Sequence, residues 1–168
     1  MKTESTRPTL PAESSGDGSA TRGDFAESVP ESAGQRIDNA AVHGEPKRIL
    51  VVDDDSIVCG LVAAALEAAG HQVKTAADGE AAWGTLLAGH YDLLVTDDIM
   101  PKASGLALVR RIRVAAIALP IIVASERLDA ADVVRLNRDP WARFDAFVRK
   151  PVAPSELLAT VHSLLAAE

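Results

Sequence analysis

From Arg48 onward the chain alternates between short apolar runs and longer stretches whose apolar residues recur three or four positions apart. The runs are RILVV (48–52), QVKTA (72–76), DLLVTD (92–97), PIIVAS (120–125) and AFVRK (146–150). A run such as RILVV, apolar throughout and bounded by charge, suits a parallel strand buried on both faces. Between the runs, Val58, Leu61, Val62, Ala65, Leu66 and Ala69 form a helical stripe, and similar spacing covers Ala81 to Leu87, Leu106 to Ile112 and Leu157 to Leu165. Punctuation agrees: Gly70 lies just past the first stripe, Asp78-Gly79 opens the second, and Pro154-Ser155 opens the last. The stretch ERLDAADVVRLNRDPWARFD (126–145) is less regular. It predicts a short helix near Ala130 to Leu136, broken at Pro140, with Trp141 starting a new apolar contact. Parallel strands need right-handed crossovers that put helices on both faces. The predicted class is therefore α/β, a doubly wound five-stranded parallel sheet with a shortened or irregular fourth helix.

Residues 1 to 47 differ in texture. Their sizeable aliphatic or phenyl side chains are Leu10, Phe25, Val29, Ile37 and Val42, scattered without period among Ser, Gly, Pro, Glu and Asp. Such a stretch buries too little apolar surface to offset an ordering entropy of about 1 to 2 kcal/mol per residue. The expected organisation is a disordered N-terminal tail over 1–46 and one domain over 47–168. The last helical pattern runs almost to Glu168, so the expectation is a stand-alone domain with no output module.

Composition narrows the function. The net charge of −7 over 168 residues argues against direct DNA binding and against coating an anionic membrane, since both need a basic footprint. The single cysteine, Cys59, forms no internal disulfide, and there is neither a signal-peptide apolar run nor a stretch near the ~20 apolar residues of a membrane span. A cytoplasmic location without membrane contact is expected.

In an open parallel sheet, ligands bind beyond the carboxyl ends of the strands. Those ends carry Asp53, Asp54 and Asp55 after the first run, Asp97 and Asp98 at the end of the third, Ser125 at the end of the fourth, and Lys150-Pro151 after the fifth. Each alone has an ordinary explanation: an aspartate there often caps a helix, a serine often closes a turn, and a lysine is usually solvated. Together they bring acids, a hydroxyl and an ammonium into one cleft. Crowded carboxylates repel unless a cation intervenes, and Mg²⁺ favours a few carboxylates plus water and phosphate oxygens. Metal, lysine and hydroxyl match the three equatorial oxygens of a transferring phosphoryl group, with one carboxylate as nucleophile. Asp55 and Asp98 read as flanking charges, and Cys59, His71, His90 and His162 as packing or surface residues.

ILVVDDD, DLLVTDDIMPKASG, PIIVAS and VRKP, in this order, resemble the receiver domain of two-component response regulators over roughly Lys47 to Ala166. The resemblance implies a flavodoxin-like strand order 2-1-3-4-5. It implies Asp97 as phosphoacceptor, Asp53, Asp54 and Asp97 as Mg²⁺ ligands, and Ile99 as the donor of a backbone carbonyl to the metal. It makes Ser125 the switch hydroxyl, Lys150 the phosphoryl partner, Pro151 the following proline with a usually cis peptide bond, and Phe147 the switch aromatic. The implied donor is a sensor histidine kinase or a histidine phosphotransfer protein. The implied output is contact with a downstream protein, whose identity the sequence leaves unknown. The module catalyses only its own phosphoryl transfer and slow autodephosphorylation, so it is not an enzyme in the usual sense.

The chain also departs from that family. Glu126 stands where a small residue usually follows the switch hydroxyl, NRDPWARFDAF replaces a usual Gly-Ala pair, and the interval from Ser125 to Lys150 is a few residues longer than usual. These changes fall on the fourth helix and the usual output face. Two other readings stand beside the signalling switch. A receiver-like docking module that is never phosphorylated would keep the same residues. An aspartyl-nucleophile phosphatase of the haloacid-dehalogenase type would need D-x-D-x-T after the first strand, whereas Asp53-Asp54-Asp55-Ser56-Ile57 lacks the threonine and Asp97-Asp98 precedes the lysine. No Gly-rich loop follows the first strand, which removes a nucleotide-binding reading.

Overall fold

The computed structural model describes residues 45–166. The expected tail over 1–46 lies outside the described residues apart from its last two positions. Strands β1 (Arg48–Val52), β2 (Gln72–Ala76), β3 (Leu93–Asp97), β4 (Ile121–Ser125) and β5 (Ala146–Arg149) alternate with helices α1 (Ser56–Ala68), α2 (Gly79–Ala88), α3 (Gly105–Val114), α4 (Ala130–Leu136) and α5 (Pro154–Leu165). All pairings are parallel and the sheet order is β2-β1-β3-β4-β5.

Strand alternation sorts side chains onto two faces. Leu50, Val52, Leu94, Ile121 and Val123 pack with Leu108, Val109 and Ile112 of α3 and Ala82 of α2. Ile49, Val51, Leu93, Val95 and Ile122 pack with Leu66 of α1 and Leu157 and Val161 of α5. β3 and β4 are buried at every position, which is why LLV and IIVA read as unbroken apolar runs. β2 is an edge strand and correspondingly polar, with only Ala76 buried.

Three boundaries fall one residue inside the predicted runs. Asp92 stays outside β3 and accepts the Arg48 N–H through its carboxylate at 2.6 Å. Pro120 precedes β4, and Lys150 leaves β5 to enter the site. The fourth helix has seven residues, Ala130–Leu136, and begins in a capping box between Asp129 and Asp132.

One expectation needs correcting. Trp141 does not anchor the contact after Pro140: it is 49% exposed, while Ala142 and Phe144 are buried. Two side-chain acceptors shape this turn. Asp139 receives the Trp141 N–H at 2.9 Å, and Asn137 receives the Phe144 N–H at 3.1 Å. The chain therefore turns inward two residues later than the Pro-Trp break suggests, and Phe144 joins the core beside α3.

Candidate functional site

β1 and β3 are neighbours, so their carboxyl ends place Asp53 beside Asp97. Carboxylate oxygens of Asp53, Asp54 and Asp97 lie within 4.8 Å of one another. Asp53 and Asp97 are almost fully buried, whereas Asp54 is exposed. Lys150 reaches in from the end of β5 and bridges the pair, with Nζ 2.7 Å from Asp53 Oδ2 and 3.1 Å from Asp97 Oδ1. The Lys150–Pro151 peptide bond is cis. Burial pulls the Lys150 ammonium towards neutrality, but the hydrogen bonds it donates to Asp53 and Asp97 outweigh this and hold its pKa above the usual lysine range. At Asp97 burial wins: it pushes the carboxyl pKa up against the opposing Lys150 hydrogen bond, and the charges of Asp53 and Asp98 add to the rise.

The remaining residues fall into place around this cluster. Asp55 caps α1, accepting the Ile57 and Val58 N–H groups, while Asp53 accepts the Asp55 N–H at 2.9 Å. Asp98, read from sequence as a flanking charge, is buried, and its N–H donates to the Ala124 carbonyl. It stands outside the close triad but acts on Asp97 through its charge. Ile99 follows in the loop between β3 and α3 with its side chain exposed. Among the described residues no hydrogen bond engages its carbonyl oxygen, which leaves that oxygen available to a cation. Ser125 is fully buried, and its Oγ accepts the Arg127 and Leu128 N–H groups, both at 3.0 Å. Phe147 is half-buried opposite Val123.

Two supports were not evident as such in the sequence. The first is Gly105, at the start of α3, where a Cβ would collide with the carbonyl of Asp97. The signal was present in ASG but had no partner to explain it. The second is the contact between Asp78 and Lys102. Asp78 caps α2 through the Ala81 N–H and also receives Lys102 Nζ at 2.6 Å. This ties the loop bearing Ile99 to α2. Lys102 holds a left-handed backbone, φ 64°, which glycine adopts at less cost. Lys102→Ala keeps that strain and loses the ion pair, whereas Lys102→Gly loses the pair but relieves the strain. The alanine variant should therefore melt below the glycine variant. The Lys102 hydrogen bond holds the Asp78 pKa below the usual carboxylate range. That contribution is present above the unfolded pKa and disappears as pH falls through the lowered folded value. Thermal melts at neutral and acidic pH should show the wild-type advantage over Lys102→Ala shrinking in acid.

A buried carboxylate at the end of the central strand, two further acids, a bridging lysine and a buried hydroxyl on a 2-1-3-4-5 sheet define a receiver-type class of protein. The family model described as "Response regulator receiver domain" matches residues 49–162, and the chain belongs to that family. The chain is similar to the transcriptional regulatory protein DltR of Streptococcus agalactiae, 35% identical over 114 residues that make up 68% of this chain and 50% of that protein. It is also similar to the response regulator MprA of Mycolicibacterium vanbaalenii, 37% identical over 120 residues, 71% of this chain and 51% of that protein. The chain thus spans about half the length of these curated relatives. Among solved structures, the receiver domain of Francisella response regulator 1452 matches with a TM-score of 0.67 at 26% identity, covering 72% of this chain and 98% of that one. The chemotaxis protein CheY4 of Vibrio cholerae matches with a TM-score of 0.65 at 25% identity, covering 71% and 98%. A receiver domain is a signalling module rather than an enzyme. No helix among the described residues is long and apolar enough to cross a membrane.

Proposed function

We propose that this chain is a phosphorylation switch in which Asp97 takes a phosphoryl group from a phosphohistidine and the signal passes on through contact with another protein. The observation that carries this reading is the meeting of Asp53, Asp54, Asp97 and Lys150 in one pocket. A carboxylate oxygen of Asp97 attacks phosphorus, the P–N bond to the donor imidazole breaks, and the leaving nitrogen takes a proton. Lys150 faces the accumulating charge on the phosphoryl oxygens, and the buried setting strengthens that attraction. Ser125 supplies a hydroxyl donor, and Phe147 follows its movement.

The donor set fits Mg²⁺. Three carboxylates, with the Ile99 carbonyl, are hard oxygen ligands of the kind Mg²⁺ takes while it keeps several waters. Asp53, Asp54, Asp97 and Ile99 would hold it, and its chemistry would be neutralisation of phosphoryl charge. Lys150 already spans Asp53 and Asp97, which leaves Asp54 as the acid with no ammonium beside it.

A cation that binds only the folded state adds about 1.4 kcal/mol at ten times its Kd. Millimolar Mg²⁺ should therefore raise the melting temperature of the wild type. Asp54→Asn removes one repelling charge, so its metal-free form should melt at or above wild type while its response to Mg²⁺ disappears. A wild type indifferent to Mg²⁺ in calorimetry would count against the metal site.

The reading as a whole is tested by incubation with acetyl phosphate and Mg²⁺ followed by intact mass measurement. One added phosphoryl group, labile to hydroxylamine, is expected. An unmodified mass under conditions that label a known receiver would favour the docking-module reading.

A further inference from the structure

The amino edge of the sheet, the pole opposite the acidic pocket, carries a cleft of about 650 Å³ where β4 and β5 begin. Its floor is apolar, made by Leu119, Pro120 and Leu164, and its rim carries Arg138 and Arg143. Asn137, Arg138, Pro140 and Arg143 come from the irregular stretch 126–145, so that segment builds one side of the cleft. The wall beneath it is fixed. Arg113 donates Nε to the Arg143 carbonyl at 2.9 Å, Nη1 to the Leu119 carbonyl at 2.9 Å, and Nη2 to Asp145 at 2.8 Å. The same Asp145 oxygen accepts the Ile121 N–H. Among the described residues Asp145 is the only acid lining the cleft, and Arg113 offsets its charge. Among the described residues no ion pair or side-chain hydrogen bond holds the guanidinium of Arg138 or Arg143. The rim is therefore cationic in a chain whose net charge is −7.

We propose that this cleft docks an acidic peptide segment of another protein, an apolar side chain seated on the Leu119–Leu164 floor between carboxylates that meet Arg138 and Arg143. The charge of the rim selects acids. The form of the cleft selects a peptide over a free anion. Both available guanidinium groups stand on an exposed rim, where an ion pair alone contributes little, whereas Arg113 has already committed its donors to the wall. An occupant needs apolar area on the floor as well as charge on the rim, and a peptide brings both. The surface lies away from Asp97, so partner docking here would leave the phosphoryl site open.

The test is selection from a displayed random-peptide library on the full chain, with Arg138→Glu/Arg143→Glu as the parallel bait. Both side chains are exposed and, among the described residues, make no ion pair or side-chain hydrogen bond, so the double variant should melt as wild type does. The peptides enriched on wild type alone should carry Asp or Glu on both sides of an aliphatic or aromatic residue. A synthesised representative should lose about tenfold or more in affinity on the double variant. It should also weaken as salt rises from about 50 to about 300 mM, and bind unchanged to the charge-matched control Lys74→Glu/Arg149→Glu. Enriched peptides without acids, or equal binding to the double variant, would overturn the proposal. Displacement by millimolar inorganic phosphate would reassign the cleft to small anions. A dimer in sedimentation that the double variant loses would reassign it to self-association. Each readout is independent of phosphorylation, so failure here is distinguishable from failure of the Asp97 reading.

Discussion

Asp97→Asn should abolish phosphorylation by acetyl phosphate, while Asp98→Asn should retain it. Both aspartates are buried and adjacent, so composition alone does not separate them. Geometry does: the Asp97 carboxylate meets Lys150 Nζ at 3.1 Å and joins the triad with Asp53 and Asp54, and Asp98 does neither. An asparagine at 97 has no anionic oxygen with which to attack phosphorus, so the loss should approach the full rate, as for removal of a nucleophile. Phosphate appearing on Asp97→Asn and absent from Asp98→Asn would reverse the assignment.

The same substitution should leave a signature in stability. Burial raises the Asp97 pKa above its unfolded value. A raised carboxyl favours the fold below the unfolded pKa of about 3.9, and that advantage is lost as pH rises through the folded value. Asp97→Asn carries no such titration. Metal-free melts from about pH 4 to about pH 7 should therefore show the difference between wild type and variant shifting in the variant's favour. A difference independent of pH would mean that Lys150 fully compensates the buried charge.

How much of this was legible before the structure depended on whether each signal was local. β1, β3 and β4 were readable because a strand covered on both faces must be apolar throughout, and their ends then located Asp53, Asp97 and Ser125 within one cleft. The seven-residue α4 was readable because Asn137, Asp139 and Pro140 stop a helix in sequence as they do in space. What resisted reading depended on partners far along the chain. Lys102 is 24 residues from Asp78, and nothing near either residue announces their contact. Gly105 matters because of the Asp97 carbonyl beneath it, and Phe144 because Asn137 turns its N–H inward. Arg113 gave no sign of anchoring the wall of a cleft, since its acceptors, Leu119, Arg143 and Asp145, lie on two separate loops.

Ser125→Ala should have the second large effect, and it should appear both in stability and in signalling. Oγ of Ser125 accepts two backbone N–H groups, from Arg127 and Leu128, at the start of the loop leading to α4. Alanine leaves both donors without that partner in a part-buried setting, a cost of about 1 to 3 kcal/mol, whereas Ser125→Thr keeps the oxygen. In the phosphorylated state the hydroxyl is required elsewhere. A phosphoryl group brings about 1.5 to 2 negative charges and strong acceptor oxygens, and a Ser125 hydroxyl drawn towards it must give up the Arg127 and Leu128 N–H groups. The loop would thereby be released as the site fills, and the half-buried Phe147 beside it, paired with Val123 in the sheet, would gain room to turn. Two such positions of Phe147 would differ mainly in burial, by about 1 to 2 kcal/mol, small enough for the ligand to choose between them. Trp141, half exposed beyond α4, can report the change. Trp83 is the internal control, since the Arg111 guanidinium lies 4.4 Å above its ring and holds it between α2 and α3. With Trp83 replaced by Phe, beryllofluoride and Mg²⁺ should alter Trp141 emission in the Ser125 protein and leave it unchanged in Ser125→Ala. With Trp141 replaced instead, neither protein should respond. If Ser125→Ala kept the Trp141 response in full, the hydroxyl would not be the link, and α1, whose exposed Leu61 lines the acidic pocket, would become the place to look for the output.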